Sequence, residues 1–442
     1  MFVFNRFLIS AGLLFGVCAA QAAPSELELL KQELKRLQQR VEQLEAQQAK
    51  APDQPAQVAQ PAASEDGQPD VNPLERATVS GSFLAVGQSV TGPPQNAGTS
   101  DSQLNYRADL EVEIPLGQFD GSGTTGLLFT NVRLGQGAGV MPNVATTFTG
   151  AVNSTAFELA GNPENSTALL AQMWLQVSTP VREQGRFDFT VGKIDPFVFF
   201  DNNAIADDES EAFVNNVFVH NPQLDSGGDI GADQYGFGPG AVGAYSWGQE
   251  GRNRWTAQLG LFGAGNGAQF DNSLSQPFSI AQLQYEGRAV SGLPGTYQLY
   301  LWNNPQSQNA LTSAPESHRG FGVSLSQQVS GDATVFSRLG YQSEGVVNFD
   351  SSLTLGAQWT GGSWGRNQDR VGLAYGALFA SDEYRAANPT AKNLEGNAEV
   401  FYTWQYNDYL HVSPHLIYVS NPGALPSQDD LTVMGVRTKA SF

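Results

Sequence analysis

Apolar and polar residues alternate along the chain from residue 77 onward, with the two-residue period of a β-strand. In residues 104–114 the even positions hold Leu, Tyr, Ala, Leu, Val and Ile, and the odd positions between them hold Asn, Arg, Asp and Glu. Charged residues on one face and apolar residues on the other indicate a wall with water on one side and lipid on the other. Lipid on one face and water on the other explain this pattern better than a protein core does.

The same period recurs in about sixteen segments, an even number typical of bacterial outer-membrane barrels. These segments lie near residues 77–90, 104–114, 124–135, 169–178, 187–191, 233–247, 252–264, 277–288, 294–303, 316–329, 332–343, 351–360, 369–380, 395–407, 408–420 and 430–442. The pattern therefore predicts an all-β fold, a transmembrane antiparallel β-barrel spanning residues 77–442. Long connections, interpreted as outer loops, are predicted at 91–102, 136–166, 195–232 and 304–315.

The two ends of the chain indicate export to the outer membrane. Residues 7–20 are apolar but too short to span a bilayer as a helix, and residues 20–22 fit a small-residue cleavage site. Residues 1–22 are therefore predicted to be a signal peptide. The chain finishes on an alternating run that ends at Phe442, as in outer-membrane barrels whose last strand closes the barrel and carries a terminal aromatic residue. The alternative is the final strand of a secreted β-sandwich.

One helix is predicted, in residues 23–50. Ser25 and Glu28 form a capping box at its start, and apolar residues then recur at alternating spacings of three and four, as in a short coiled coil. We expect a homo-trimer held by the barrel and by a seam formed by Leu27, Leu30, Leu34, Leu37, Val41 and Leu44. The alternative is a single amphipathic helix packed on the barrel. Residues 51–76, rich in Pro, Ala and Gln, are predicted to link this periplasmic coiled coil to the barrel.

Composition narrows the class of protein further. The chain has 48 glycines, and its charged fraction of 15% is lower than the quarter or so of a typical soluble protein. Its single cysteine, Cys18, lies in the predicted signal peptide, so no disulfide is expected in the mature chain. The net charge of −20 argues against binding to nucleic acid and suggests an acidic lumen or acidic loops.

Residues 195–232 carry the most distinctive chemistry. Phe197, Phe199 and Phe200 are too apolar for a loop that faces water, so we expect this segment to fold into the barrel and narrow its lumen. Its carboxylates and amides suit the hydroxyl groups of sugars, and basic residues on the wall could face the acids and create a transverse field. The candidate pore-lining residues are Lys193, Asp195, Asp201, Asn202, Asn203, Asp207, Asp208, Glu209, Arg107 and Arg133. The alternatives are a solvated outer loop, carboxylates that bind divalent cations between lipopolysaccharides, and arginines paired within the barrel wall.

Three segments of the chain resemble a known family. Residues 192–195 read Gly-Lys-Ile-Asp, residues 200–209 read Phe-Asp-Asn-Asn-Ala-Ile-Ala-Asp-Asp-Glu, and residues 413–418 read Ser-Pro-His-Leu-Ile-Tyr. Together they resemble the carbohydrate-selective porin (OprB) family, and the resemblance covers residues 77–442. Residues 77–100 lack the Gly/Trp-rich motif with which many members open. The resemblance implies an outer-membrane porin that gives facilitated diffusion of small carbohydrates and has no enzymatic activity.

Other chemistries find little support in the sequence. His411 and His415 have metal-ligand spacing only on a helix, and they lie in an alternating segment, so neither a zinc site nor a histidine-based catalytic site is expected. The aspartates spaced by four in residues 225–233 lack the spacing of an EF-hand. No cofactor is expected. The seven tryptophans are interpreted mainly as a membrane-interface girdle, with sugar stacking as the alternative.

Two other functions remain open at this point. A general or cation-preferring diffusion porin is favoured by the net charge. A structural tether between outer membrane and cell wall is suggested by the predicted coiled coil alone. Small sugars or ions, as permeants, and the lipid of the outer membrane are the expected partners.

Overall fold

The computed structural model describes residues 73–91, 102–119, 121–137, 139–140, 165–182, 184–224, 237–273 and 275–442. The predicted signal peptide, the coiled coil and nearly all of the linker lie outside these residues. Within the described part of the chain, no helix has the length and apolar character needed to cross a membrane.

The barrel is built from sixteen antiparallel strands, each paired with the next along the chain. They are β1 (Thr78–Thr91), β2 (Ser102–Gln118), β3 (Thr125–Gln136), β4 (Thr167–Val181), β5 (Gly185–Ile194), β6 (Gly238–Gln249), β7 (Asn253–Phe262), β8 (Phe278–Val290), β9 (Leu293–Gln308), β10 (Pro315–Gln328), β11 (Ala333–Glu344), β12 (Phe349–Gly361), β13 (Arg366–Ala380), β14 (Leu394–Asn407), β15 (Leu410–Ser420) and β16 (Leu431–Ser441). The helical elements are short: α1 (Asn216–Val219), α2 (Asp382–Ala387) and 3₁₀ turns at Pro73–Arg76, Pro196–Val198, Gly265–Gln269, Gly362–Trp364 and Pro422–Ala424. The predicted all-β barrel is confirmed, and every predicted strand overlaps an observed one.

The first and last strands pair and close the barrel. The register of β1 with β16 runs from Ser82 opposite Ser441 to Thr91 opposite Thr432. Beyond the end of β16, the N–H of Phe442 donates to the carbonyl oxygen of Gly81 at 3.0 Å, and the Gly81 N–H donates in return at 3.2 Å. Closure removes free strand edges, whose backbone N–H and C=O groups would find no hydrogen-bond partner in lipid. The prediction that the final strand closes the barrel is confirmed.

The outer face of the wall is apolar. Leucines such as Leu104, Leu299 and Leu301 are half-exposed or more, whereas their immediate chain neighbours Tyr300 and Trp302 point inward and are buried. This alternation is what a bilayer on one side of a sheet requires.

Aromatic side chains form a stacked row on the outer face near the end of the barrel that carries the short turns. Trp247 and Trp255 lie opposite each other on β6 and β7, with ring centroids 6.3 Å apart, and Tyr285 lies 4.8 Å from Trp255. Tyr and Trp concentrate where lipid meets water. The row of outward-facing rings is compatible with the girdle interpretation, whereas Trp174 and Trp302 are buried on the inner face.

The connections between strands are long at one end of the barrel and short at the other. The turns that follow the even-numbered strands are short, for example residues 182–184 and 291–292, whereas the connection from β5 to β6 is the longest of all. The predicted long loop at 304–315 is wrong in part, because β9 continues to Gln308 and β10 begins at Pro315. Residues 303–308 are mostly polar on both faces of the strand, so the hydrophobic period disappears although the strand continues.

Candidate functional site

The segment between β5 and β6 lies inside the barrel. We call its described residues 195–224 the lumenal loop. The side chains that bind it come from the inner faces of strands around the barrel, including Gln282 on β8, Arg338 on β11 and Arg437 on β16. A loop that contacts these widely separated strands from within must cross the lumen.

The loop begins with a tight turn that inserts aromatic side chains into the lumen. Asp195 caps the 3₁₀ turn Pro196–Val198 by accepting a hydrogen bond from the Phe197 N–H at 2.9 Å. Phe197 and Phe200 are then buried in a cluster with inward-facing side chains of β3 to β9, among them Trp302. These phenylalanines therefore contact the wall rather than water.

A second apolar cluster fixes the far part of the loop to another sector of the wall. Phe213 lies 5.6 Å from the ring of Phe336 on β11 and 5.0 Å from the ring of Phe401 on β14. Phe218 of α1 belongs to the same buried cluster. The two clusters hold the loop against opposite parts of the sheet, so burial of apolar surface sets its path.

Between the clusters, Asp201 and Arg338 form a fully buried ion pair. Arg338 Nε lies 3.0 Å from Asp201 Oδ1, and the Tyr300 hydroxyl donates to the same oxygen at 2.8 Å. The Asn221 N–H donates to the other carboxylate oxygen at 2.6 Å. A side chain on Gly322 would collide with the Tyr300 ring, so glycine at this position lets the ring lie along the wall.

Arg338 also holds the backbone of the loop at two places. Its terminal nitrogens donate to the carbonyl oxygen of Phe218 at 2.7 Å and to that of Asp201 at 3.0 Å. A buried ion pair persists when further hydrogen bonds satisfy both partners, which is the situation here. Asp201 and Arg338 therefore act as a latch for the loop.

The loop then presents an acidic tip, residues 207–211, to basic side chains of the wall. Glu209 pairs with Arg107 on β2, and Glu211 accepts from Arg370 on β13 at 2.8 Å. The wall residues around this tip are Arg107 on β2, Arg370 on β13, and Arg437 and Lys439 on β16. Opposite charges thus face each other across a short distance inside the barrel.

The inner face of β2 and β3 continues this charged group. Arg133 Nε lies 2.6 Å from Asp109 Oδ1, and Arg107 Nε lies 3.0 Å from Asp109 Oδ2. Asn131 donates to the carboxylates of Asp109 and Glu111 at 3.3 and 3.2 Å. The wall therefore carries a ladder of alternating bases and acids beside the acidic tip.

The loop carboxyl groups have different proton affinities. Burial opposes ionisation of Glu209, but the nearby guanidinium groups of Arg107 and Arg133 dominate and lower its pKa to about 2. Burial raises the pKa of Asp195 to about 6, and burial likewise raises the pKa of Asp207 well above its ordinary value. The tip therefore combines a firmly ionised carboxylate, Glu209, with a neighbouring carboxyl, Asp207, that binds its proton more tightly than an exposed aspartate does.

The structure brings together only part of the predicted set of pore residues. Arg107, Arg133 and Glu209 form one charged group, and Asp195 lies close enough to feel all three charges. Lys193, by contrast, lies over the Phe270 ring at 5.9 Å from its centroid.

The two amide residues and Asp208 make hydrogen bonds within the loop or to the wall. Asn202 donates to the carbonyl oxygens of Phe197 and Val198 at 3.0 and 2.9 Å. Asn203 donates to the backbone of β10 at 3.2 Å, and Asp208 accepts from the Ser210 N–H at 2.7 Å. These contacts fix the conformation of the loop and its position on β10.

Sequence reasoning missed several residues that hold the loop. Glu399 accepts hydrogen bonds from the N–H groups of Val214 and Asn215, at 2.8 and 2.9 Å, and Arg370 and Lys439 bind Glu211. The alternation of each strand places these residues on the inner face, which was the available signal. In the part of the chain that the structure describes, no group of three or more His, Cys, Asp or Glu residues could hold a metal ion.

The comparisons with known proteins all point to porins. A model of the family described as "Carbohydrate-selective porin, OprB family" matches residues 25–442. Porin B of Pseudomonas aeruginosa is 25% identical over 189 residues, which cover 34% of this chain and 42% of that protein, so the chain spans less than half of the length of this relative. A high-pH structure of OprB from Pseudomonas putida is 16% identical, covers 84% of this chain and 95% of that one, and superposes with a TM-score of 0.65, which shows a shared fold.

Proposed function

The chain belongs to the OprB family of carbohydrate-selective porins, and on this basis we propose that small carbohydrates diffuse through its barrel past a constriction formed by the lumenal loop. The single observation that carries the proposal is the path of that loop. It crosses the lumen and is fixed to the wall by two apolar clusters and by the Asp201–Arg338 latch. A loop held in this way narrows the passage permanently, without energy input.

The polar groups of the lumen suit a carbohydrate. Sugars offer hydroxyl groups that both donate and accept hydrogen bonds, and amide side chains can do the same. Glutamines and asparagines take many inward-facing positions on the strands, for example Gln88, Asn131, Gln176, Gln284, Gln298 and Gln358; these six side chains are buried, so they make the wall behind the passage polar rather than bind a solute directly. A neutral solute that exchanges hydration water for polar groups of the loop and wall avoids the desolvation penalty that an ion would pay.

The charged groups at the constriction orient the solutes that pass it. Arg107 on the wall bonds Glu209 on the loop directly, and Arg133 bonds Asp109 beside them, so acidic and basic groups lie together along one edge of the passage. The local field of such charged groups orients dipolar solutes and water. We propose that Asp195, Asp207, Asp208 and Glu209 supply the acidic groups of the constriction and that Arg107, Arg133 and Lys193 supply its basic groups.

The test is single-channel conductance of the purified protein in planar bilayers, titrated with glucose. A saturable fall in ion current at millimolar glucose supports a binding site in the pore. The matched control is Asp369→Asn, a carboxylate that bonds Arg366 at the short-turn end of the wall, which should respond to glucose as the wild type does. Current that is insensitive to glucose would exclude a sugar-binding pore.

A general or cation-preferring porin is the second candidate, because the net charge is −20 and the loop carries several carboxyl groups. Reversal potentials in a salt gradient distinguish it. Strong cation selectivity combined with no response to sugar favours this candidate.

We also propose that the protein is a homo-trimer, assembled through the barrel and through the predicted coiled coil of residues 25–50. Mass measurement of the wild type and of a variant lacking residues 25–50 in detergent tests this proposal. A fully trimeric truncated protein would assign assembly to the barrel alone.

A further inference from the structure

The strand pair that closes the barrel has the largest sequence separation of any pair in the described sheet. β1 lies between β16 and β2, and its inward-facing Leu84 is opposite Lys439 on one side and Arg107 on the other. Val86, two residues along, is opposite Arg437. Leu84 and Val86 are both buried, although the inner face of a porin strand usually carries polar residues that face water.

On the β16 side, the backbone of the acidic tip is bound by a completely buried arginine. Arg437 Nη1 donates to the carbonyl oxygens of Glu209 at 2.6 Å and Ala212 at 2.8 Å, and Nη2 donates to that of Glu211 at 3.0 Å. Lys439, two residues further along the strand, donates to the Ser210 hydroxyl at 2.9 Å. Two adjacent inward-facing residues of β16 therefore hold the tip.

On the β2 side, the same tip is bound through a side chain. Arg107 donates to the Glu209 carboxylate and lies 3.0 Å from Asp109 on its own strand. Glu209 thus connects two strands: its carbonyl oxygen is held by β16 and its carboxylate by β2. Cross-strand neighbours lie about 5 Å apart, so this connection passes over β1 and spans about 10 Å.

We infer that the acidic tip is an internal clamp that fastens β16 to β2 across β1 and so stabilises the closed barrel at its seam. This role is independent of what passes through the pore. The pairing of β1 with β16 has the greatest chain-entropy cost in the sheet, because these strands are the furthest apart in the sequence. An added contact at this seam therefore offsets the largest cost. The Asp201–Arg338 latch binds β9 and β11, away from the seam, and approaches the tip through Arg338 Nη2, which lies 3.8 Å from Asp207 Oδ1.

The experiment is hydrogen–deuterium exchange of the full-length protein in detergent micelles, resolved by peptide. Arg437→Met should increase amide exchange in β1 and β16 at least about ten-fold, because three buried carbonyl oxygens lose their donor. Exchange in β9 to β11 should change by less than about two-fold, since the latch there is intact. The control Arg338→Met should increase exchange mainly in β9 to β11, with a smaller change at the seam that reflects the 3.8 Å contact between Arg338 and Asp207.

Two milder variants keep the comparison available if Arg437→Met does not fold. Lys439→Met removes the β16 contacts to Ser210 and Glu211, and Glu209→Gln removes the charge that binds Arg107; each should raise exchange selectively at the seam. Equal increases throughout the barrel, or an unchanged seam in these variants, would overturn the clamp.

Discussion

Arg338 and Asp201 form an ion pair that is completely buried inside the barrel, with Arg338 Nε 3.0 Å from a carboxylate oxygen of Asp201. One partner belongs to the wall and the other to the lumenal loop. Asp201 adopts a left-handed backbone conformation, with φ of 59°, which aspartate tolerates better than most residues. The pair therefore joins the position of the loop to the stability of the barrel.

Breaking this pair should strongly destabilise the protein. In Arg338→Met, the Asp201 carboxylate stays buried without its cation, and we expect a loss of about 3–5 kcal/mol in the free energy of unfolding. Denaturant titration of the folded barrel, followed by tryptophan fluorescence, measures it. The double variant Arg338→Met/Asp201→Asn should lose less than the sum of the two single variants. Strict additivity would mean that the two side chains do not interact.

The contact between Glu399 and the loop backbone gives a second prediction. Glu399 accepts hydrogen bonds from the N–H groups of Val214 and Asn215, so Glu399→Leu leaves two buried donors without a partner. We expect a loss of about 1–3 kcal/mol for each unsatisfied group, and greater current noise as this part of the loop loosens. Glu399→Gln keeps one acceptor oxygen and should lie between wild type and Glu399→Leu. A quiet channel of unchanged stability in Glu399→Leu would contradict the assignment.

Asp195 should make ion selectivity pH-dependent. Burial raises the pKa of this carboxyl to about 6, so it gains a proton as the pH falls through 6. One negative charge is then lost beside Arg107 and Arg133, and cation preference should decrease with a midpoint near that pH. Because the folded state binds the proton more tightly than the unfolded state, this group favours folding as the pH falls through 6 and disfavours it as the pH rises. Reversal potentials between pH 8 and 4 measure the step, and Asp195→Asn should remove the component centred near pH 6.

The ionised form of Glu209 should stabilise the folded protein, whereas for Asp195 the protonated form does so. Its pKa of about 2 in the folded protein lies below its ordinary value, so its stabilising effect is present above about pH 4.5 and is lost as the pH falls towards 2. Wild type and Glu209→Gln should therefore differ in resistance to heating in detergent at pH 7 and converge at the acid end. A constant difference across this range would show that the charge of Glu209 is not the stabilising element.

Tryptophans on the two faces of the wall should respond differently to lipid. Trp255 lies on the outer face in the stacked row, whereas Trp302 is buried on the inner face. In single-tryptophan variants reconstituted with brominated lipids, fluorescence of Trp255 should be quenched and that of Trp302 should not. Equal quenching of the two tryptophans would contradict the assignment of the outer face to lipid.

The strands could be predicted from the sequence because a barrel repeats one simple rule along its whole wall. Lipid outside and water inside force a two-residue period, and this period finds the central part of β2, residues 104–114 of the observed Ser102–Gln118. It misses strand ends, as at the end of β9, where both faces are polar. The period also indicates which face Arg338 and Arg437 occupy.

The contacts of the loop could not be predicted in the same way. Periodicity gives the face of a residue but not its height in the barrel, so the pairing of Asp201 with Arg338, 137 residues away, left no local signal. Asp201 and Glu209 look alike in the sequence, yet one is fully buried in a latch and the other lies in the charged group beside Arg107. The two carboxylates differ in how deeply they are buried, and that depends on the path of the whole loop.

We propose that the fixed lumenal loop admits small carbohydrates and retards larger ones. The measurement that tests it most directly is the swelling rate of proteoliposomes in isosmotic glucose, a disaccharide and a trisaccharide, for the wild type and for Arg338→Met. The wild type should admit glucose rapidly and the trisaccharide much more slowly, and release of the loop in Arg338→Met should reduce that difference. Equal rates for all three sugars in the wild type, or no uptake of glucose at all, would contradict the claim.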